Sequence, residues 1–160
     1  MKSNVKLDLS DSERKRLRRN KIKKSEITNL SILEIEKLLN VPEARAREIY
    51  ALADFQRIPS IGIEFAKDLI FLELYSIEDL VEKTGAKLTD ASEKKKGYRI
   101  DPCVEDQFRL AVDFSHNQDY TKRWWDFTED RKNFRSQIGY PVDRPVVNWH
   151  EVRTDKKGSC

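Results

Sequence analysis

From Ser25 onward the apolar positions recur at helical spacing, and the polar punctuation between them falls where helices start and stop. Ser31 and Glu34 form a capping box ahead of Ile32, Leu33, Ile35, Leu38 and Leu39, and Asn40 closes that helix. Val41-Pro42 makes a tight connection, and Pro42, at or near the first helical position, opens a second helix through Glu43 to about Phe55, with Ala46, Ile49, Tyr50, Leu52 and Ala53 for packing. Ile58-Pro59-Ser60-Ile61-Gly62 interrupts the pattern. A third helix is expected over Ile63 to Leu74, with Glu64, Lys67 and Asp68 confined to one narrow strip, so it needs cover on more than one side.

Ser76 and Asp79 predict a short helix from Ile77 to Lys83, ended at Gly85. Leu88 to Lys96 is polar and lysine-rich, which reads as a surface turn of helix ending at Gly97. Asp101-Pro102 is an N-cap followed by a first-turn proline, and the helix it opens runs from Cys103 to about His116 with Val104, Phe108, Ala111, Val112 and Ser115 on one face. Beyond Trp124-Trp125-Asp126-Phe127 only Ile138, Val142, Val146, Val147 and Trp149 are available as anchors, so residues 131–160 are expected to form a polar, largely extended tail.

Composition agrees with a helix-rich protein: 37% of the 160 residues are charged, 38% are hydrophobic, and there are only five glycines and five prolines. That length predicts a single domain with one modest core. No apolar run approaches the roughly 20 residues of a membrane span, and the N-terminus lacks the apolar region of a secretory signal, so a cytoplasmic protein without membrane partners is expected. The charge is unevenly placed. Residues 1–24 carry ten Lys or Arg against three acids, a net of +7, while the remainder carries 21 against 25, a net of −4. The basic stretch opens with a capping box, Ser10 to Glu13, and continues as Arg14, Lys15, Arg16, Arg18, Arg19, Lys21, Lys23 and Lys24, interrupted only by Leu17 and Ile22. It reads either as a solvated, partly helical flexible arm or as a phosphate-tracking arm that orders on nucleic acid.

Standard catalytic signatures are missing from the sequence. The two cysteines stand 57 residues apart and the two histidines fit no ligand spacing with them, which argues against a Cys/His zinc site. No two glycines fall within ten residues of each other, so neither a Walker A loop nor a dinucleotide fingerprint can be written, and HExxH and GxSxG do not occur. A binding protein without cofactor or metal is favoured over an enzyme.

Val41-Pro42 followed by Ala46-Arg47-Glu48-Ile49 echoes Ile58-Pro59 followed by Ala66-Lys67-Asp68-Leu69, a degenerate internal repeat. Two helices joined by an apolar-Pro-x-apolar-Gly turn form the helix-hairpin-helix pattern. Gly62 permits the tight turn, Ile61 plugs the space between the helices, Ala66 lets them approach, and the second helix offers its N-terminus to a phosphate oxygen. The run Phe55-Gln56-Arg57-Ile58-Pro59-Ser60-Ile61-Gly62, then Ala66-Lys67-Asp68-Leu69, Ser76 to Leu80, Asp101-Pro102-Cys103-Val104, Phe108 to Val112 and Trp124-Trp125-Asp126-Phe127, resembles the pathogenicity-locus family of small bacterial helix-hairpin-helix proteins. Some relatives there are labelled mitomycin resistance proteins. The likeness covers about Ala53 to Asp130 and implies an all-helical fold and a nucleic-acid role, but no reaction. Two departures weaken a phosphate site at the hairpin: Ser60 stands where the first glycine usually does, and Glu64 puts a negative charge at the helix start.

Three further constellations have competing readings. Cys103, in the first turn of its helix, has the setting of a reactive thiol, yet Asp101, Glu105 and Asp106 surround it and a packing role is the simpler one; Cys160 reads as an exposed free thiol. Trp124, Trp125 and Phe127 beside Lys122 and Arg123 either stack bases or clamp the C-terminal segment over the core. The acids Asp101, Glu105, Asp106, Asp126, Glu129 and Asp130 read as solvated helix faces or caps rather than metal ligands. The expectation is therefore an all-α protein with a basic flexible arm over 1–24, a domain with one clear and one degenerate helix-hairpin-helix over 25–130, and a tail. Its expected function is non-enzymatic, sequence-independent binding of nucleic acid, most simply DNA, by Arg14, Lys15, Arg16, Arg18, Arg19, Lys21, Lys23 and Lys24 together with Arg57, Ser60, Ile61, Gly62, Ile63 and Lys67. The alternatives are an adaptor that docks a protein partner on purely structural hairpins, or a thiol-based protein using Cys103.

Overall fold

The capping boxes read from the sequence set the first helices. The computed structural model describes residues 4–152 and is all-α, with no strand among those residues. Ser10 Oγ accepts from the Glu13 N–H at 3.1 Å and the Glu13 carboxylate accepts from the Ser10 N–H at 2.9 Å, which starts α1 (Asp11–Arg19). Ser31 and Glu34 repeat the arrangement at 3.1 and 2.8 Å for α2 (Ile32–Leu39). Asn40 ends α2 in the left-handed conformation at φ +55°, as its short polar side chain allows. Pro42 caps α3 (Glu43–Phe55).

The chain divides into two compact units, Met1–Ser76 and Ile77–Cys160, so the boundary falls inside the stretch that sequence alone reads as one domain. In the first unit α3 packs against α2, against α4 (Ile63–Phe71) and against a 3-10 helix over Lys24–Asn29, and α1 packs on α2. Ile27, Ile35, Ile49, Leu52, Phe55, Ile58 and Leu69 are wholly buried there. Helix α4 stops three residues short of the expected Leu74. Glu73 turns left-handed at φ +63°, and the Leu74 N–H reaches back to the Leu69 carbonyl at 3.1 Å, which returns Leu74 to the core.

The flexible arm expected at residues 1–24 is, over its described residues, part of this unit. Leu7 and Leu17 are 1% and 4% exposed, and Val5 and Leu9 are also buried. The Gln56 side-chain amide pairs with the Lys6 backbone in both directions, at 3.1 and 2.6 Å. Arg45 donates to the Asp8 carbonyl at 2.9 Å and to both oxygens of the buried Glu13 carboxylate at 3.0 and 2.9 Å. The sequence reading failed here because so few apolar residues interrupt the basic run. Val5, Leu7 and Leu9 ahead of that run and Leu17 within it, with one buried ion pair, are enough to dock a short segment on a core that already exists.

In the second unit α6 (Pro102–Asn117) is the central helix. Around it pack α5 (Gly85–Lys96), α7 (Thr128–Ile138) and two 3-10 helices over Ile77–Leu80 and Trp124–Phe127. The start of α6 is as expected, with Asp101 Oδ1 accepting from the Cys103 N–H at 3.1 Å and Pro102 in the first turn. Gly85 does not end a helix but begins α5, capped by the Thr84 side chain. Nor is α5 a surface helix: Ala86, Leu88, Thr89, Ser92 and Glu93 are buried. The glycine is needed for close approach, because a Cβ there would sit 2.4 Å from Arg109 Cγ and 2.9 Å from the Arg109 backbone. Gly85→Ala is accordingly expected to destabilise the second unit by about 1–3 kcal/mol, read as a fall in its urea midpoint at unchanged slope. The expected tail is also corrected, since its first residues lie in α7.

Candidate functional site

The basic stretch is displayed on a folded surface. Glu13 and Leu17, one turn apart, point inward, which leaves Lys15, Arg18 and Arg19 on the opposite side of α1. The helix closes with Lys21 in the left-handed conformation at φ +56°, where the Ile22 N–H bonds the Leu17 carbonyl at 3.1 Å and the Lys21 N–H bonds the Arg18 carbonyl at 3.1 Å. That turn carries Lys23 and Lys24 on from the helix end. Among the described residues, Lys15, Arg16, Arg18, Arg19, Lys21, Lys23 and Lys24 make no ion pair. Arg14 differs: it donates to the Leu9 carbonyl at 2.8 Å and pairs with Asp11.

The turn between α3 and α4 holds the other expected residues, and its cations are engaged. Arg57 pairs with the buried Asp54 at 2.8 Å. Lys67 Nζ lies 3.0 Å from Asp8 Oδ2, which raises the Lys67 pKa and lowers that of Asp8, in both cases through the hydrogen bond first. Ile61 and Ala66 are buried as expected, at 1% and 0% exposure, and Ile63 is half-buried. The role given to Gly62 is not observed: its φ of −108° suits any residue, and a Cβ there would meet nothing within 4 Å. The left-handed residue of the turn is Ser60, at φ +63°, the position where a glycine was noted as missing.

Arg45 holds the Glu13 carboxyl below its ordinary value of 4.5, chiefly by hydrogen bonding. A folded-state pKa below the unfolded one gives stability that is complete above about pH 5 and is lost as pH falls through the folded value. The first unit is therefore expected to weaken on acidification from pH 5, and Glu13→Gln to flatten that dependence, as measured by thermal melts followed by far-ultraviolet circular dichroism.

In the second unit the sequence reading missed a buried network of acids and arginines. Glu93, Glu105 and Asp106, each 1% exposed, are not solvated caps or faces. Glu105 pairs with Arg109 and Arg135, both at 3.0 Å, and Arg135 also reaches Asp90 at 3.0 Å. Asp106 pairs with Arg131 at 2.7 Å and accepts from the Thr128 hydroxyl at 2.8 Å; Glu93 pairs with Arg144 at 2.8 Å. The Tyr140 ring lies 4.1 Å from the Arg135 guanidinium and 3.5 Å from that of Arg144. Arginines of the expected tail thus clamp it onto acids of α5 and α6. Their signal in the sequence was the i, i+4 spacing of Arg131 and Arg135 opposite the adjacent acids 105 and 106, a pairing that only the fold makes visible.

The remaining candidates separate. Cys103 is half-buried in the first turn of α6, and the expectation for Cys160 lies outside the described residues. Trp124 and Trp125 meet edge to face with ring centroids 5.3 Å apart, and Trp125 is 55% exposed. No group of three or more His, Cys, Asp or Glu side chains is arranged to hold a metal, and no helix is long and apolar enough to cross a membrane, among the described residues.

The model of the pathogenicity locus family matches residues 48–133, more than half of the chain. The chain belongs to that family. The family match begins within α3 and ends in α7, taking in the α3–α4 turn, the Asp101-Pro102 start of α6, and Glu105, Asp106 and Arg131. The cationic stretch on α1, with Arg135, Tyr140 and Arg144, falls outside the family's matched residues. Neither a curated protein nor a solved structure matches the chain.

Proposed function

We propose that this protein is a non-enzymatic, sequence-independent nucleic-acid binder whose phosphate contacts come from a preformed cationic face on α1 and the turn after it. The observation that carries the reading is the set of seven lysines and arginines between Lys15 and Lys24 that have no ion-pair partner among the described residues. Lys15, Arg18 and Arg19 share a face on a helix anchored by Leu17 and by the Glu13–Arg45 pair, so binding need not repay the ordering entropy of a flexible arm. In this reading α3, the Ser60 turn and α4 form a helix-hairpin-helix whose part is orientation. Glu64 and the pairing of Arg57 and Lys67 make it a poor source of affinity.

The test is a fluorescence anisotropy titration of a labelled single strand and a labelled duplex against salt. Seven phosphate contacts give a slope of log K against log salt of roughly −5 on a single strand and about −6 on duplex. Absence of binding to either at 50 mM salt, with the protein folded, would overturn the reading.

A second reading, a protein-interaction module, is favoured by exposed apolar side chains in the second unit: Tyr120, Trp125, Ile138 and Val146, the last two 70% and 82% exposed. It makes the opposite forecast for the same titration. Salt-insensitive or absent DNA binding is its expected result.

A further inference from the structure

A groove of about 770 Å3 opens beside the cationic face of the first unit, between residues 4–9, α1 and the turn after it. Its apolar wall is Val5, Leu9, Leu17 and Ile22, of which Ile22 is the most accessible. Its polar margin is Arg14, Arg18, Lys23 and Lys24, with Asn4 and Ser25, and no acid lines it. Three of those four cations make no ion pair among the described residues, and the fourth, Arg14, is held by Asp11 and the Leu9 carbonyl. The closed turn at Lys21 fixes the two sides against each other, because Leu17 and Ile22 are the two ends of its longer hydrogen bond.

We infer that this groove seats an unpaired base of a single strand, with the flanking phosphates on Arg18, Lys23 and Lys24. The inference rests on the proposed nucleic-acid function and narrows its ligand. An apolar wall beside closely spaced, acid-free cations matches a ligand that offers a flat, weakly hydrated face next to an anion. A single strand repeats that combination at every nucleotide. A duplex turns only its phosphates outward and would have to flip a base to fill the groove, at the cost of unpairing it. The open groove has room for one base and its sugar.

Three labelled probes of equal length decide it at one salt concentration: an oligothymidylate, a strand of the same charge made of abasic units, and a duplex. The oligothymidylate is expected to bind the wild-type protein about tenfold tighter than the abasic strand, the effect of burying one face of a single base. Ile22→Asn should shrink that difference, whereas Lys23→Ala should weaken both strands equally and leave it in place. Because the first comparison uses wild-type protein alone, a variant that fails to fold leaves it intact. Equal binding of thymidylate and abasic strands would overturn the base-seating inference while keeping the proposed function. No binding of any probe would overturn both, and in that case binding of a labelled acidic peptide containing leucines would assign the groove to a protein segment.

Discussion

Glu105→Ala is expected to cost the second unit about 3–5 kcal/mol, because it strips a buried carboxylate from two guanidinium groups at once. Glu105 accepts from Arg135 Nε with both oxygens, at 3.1 and 3.0 Å, and from Arg109 Nη2 at 3.0 Å. The Arg135 side chain is 7% exposed and that of Arg109 17%, so neither charge can turn to water without moving α7 or α6. Against a typical domain stability of about 5–15 kcal/mol this loss is large. All three tryptophans lie in the second unit, at positions 124, 125 and 149, so urea unfolding followed by tryptophan fluorescence reads that unit directly. An unchanged midpoint would mean that the network is a solvated surface after all. Exchanging Glu105 and Arg135 together for Leu and Met should recover only part of the loss, since Arg109 and Asp90 are still left without their partners.

Leu17→Ala should destabilise the first unit by about 2–5 kcal/mol, the range for truncating a buried leucine. A leucine in a flexible arm would give no change, so the substitution separates a docked helix from a tail. Leu17 is 4% exposed, sits one turn from Glu13, and its carbonyl accepts from the Ile22 N–H that closes α1. Loss of its side chain should release α1 and the Lys21 turn together. Hydrogen exchange at the Ile22 amide is the sensitive readout: protection in the wild-type protein, and its loss in the variant, is the expected pair of results. Deleting residues 1–24 outright is a poorer experiment, because it also removes Leu7 and the buried partner of Arg45.

Local rules made much of the helical framework legible. Ser10, Ser31, Asn40 and the Asp101-Pro102 pair each act through atoms within four residues of themselves, so sequence alone was enough to place them. Where a helix stops because of a distant contact, it was not. Gly85 looks like a terminator until Arg109 is seen against it. The Ser60 turn was legible in kind but not in detail: Ser60 rather than Gly62 takes the left-handed conformation, and Ile58 and Ile61 are both buried. The candidate cations were found by simple charge counting. Their rigidity was hidden, because it comes from Gln56 and Arg45, 50 and 32 residues away from the groups they hold. The acids of α6 were misjudged for the same reason: their arginine partners, apart from Arg109, lie 25 and 30 residues later in the chain.

The most direct measurement compares the wild-type protein with a Lys15→Ala, Arg18→Ala, Arg19→Ala variant in binding a labelled single strand across a salt series, with melting curves of both to verify the fold. These side chains point away from the core, so equal melting temperatures are expected. A slope of log K against log salt that is shallower by about 2, with affinity roughly 100-fold weaker at 50 mM salt, is the expected result. An unchanged slope, in a variant that melts like the wild-type protein, would contradict a phosphate-binding face on α1.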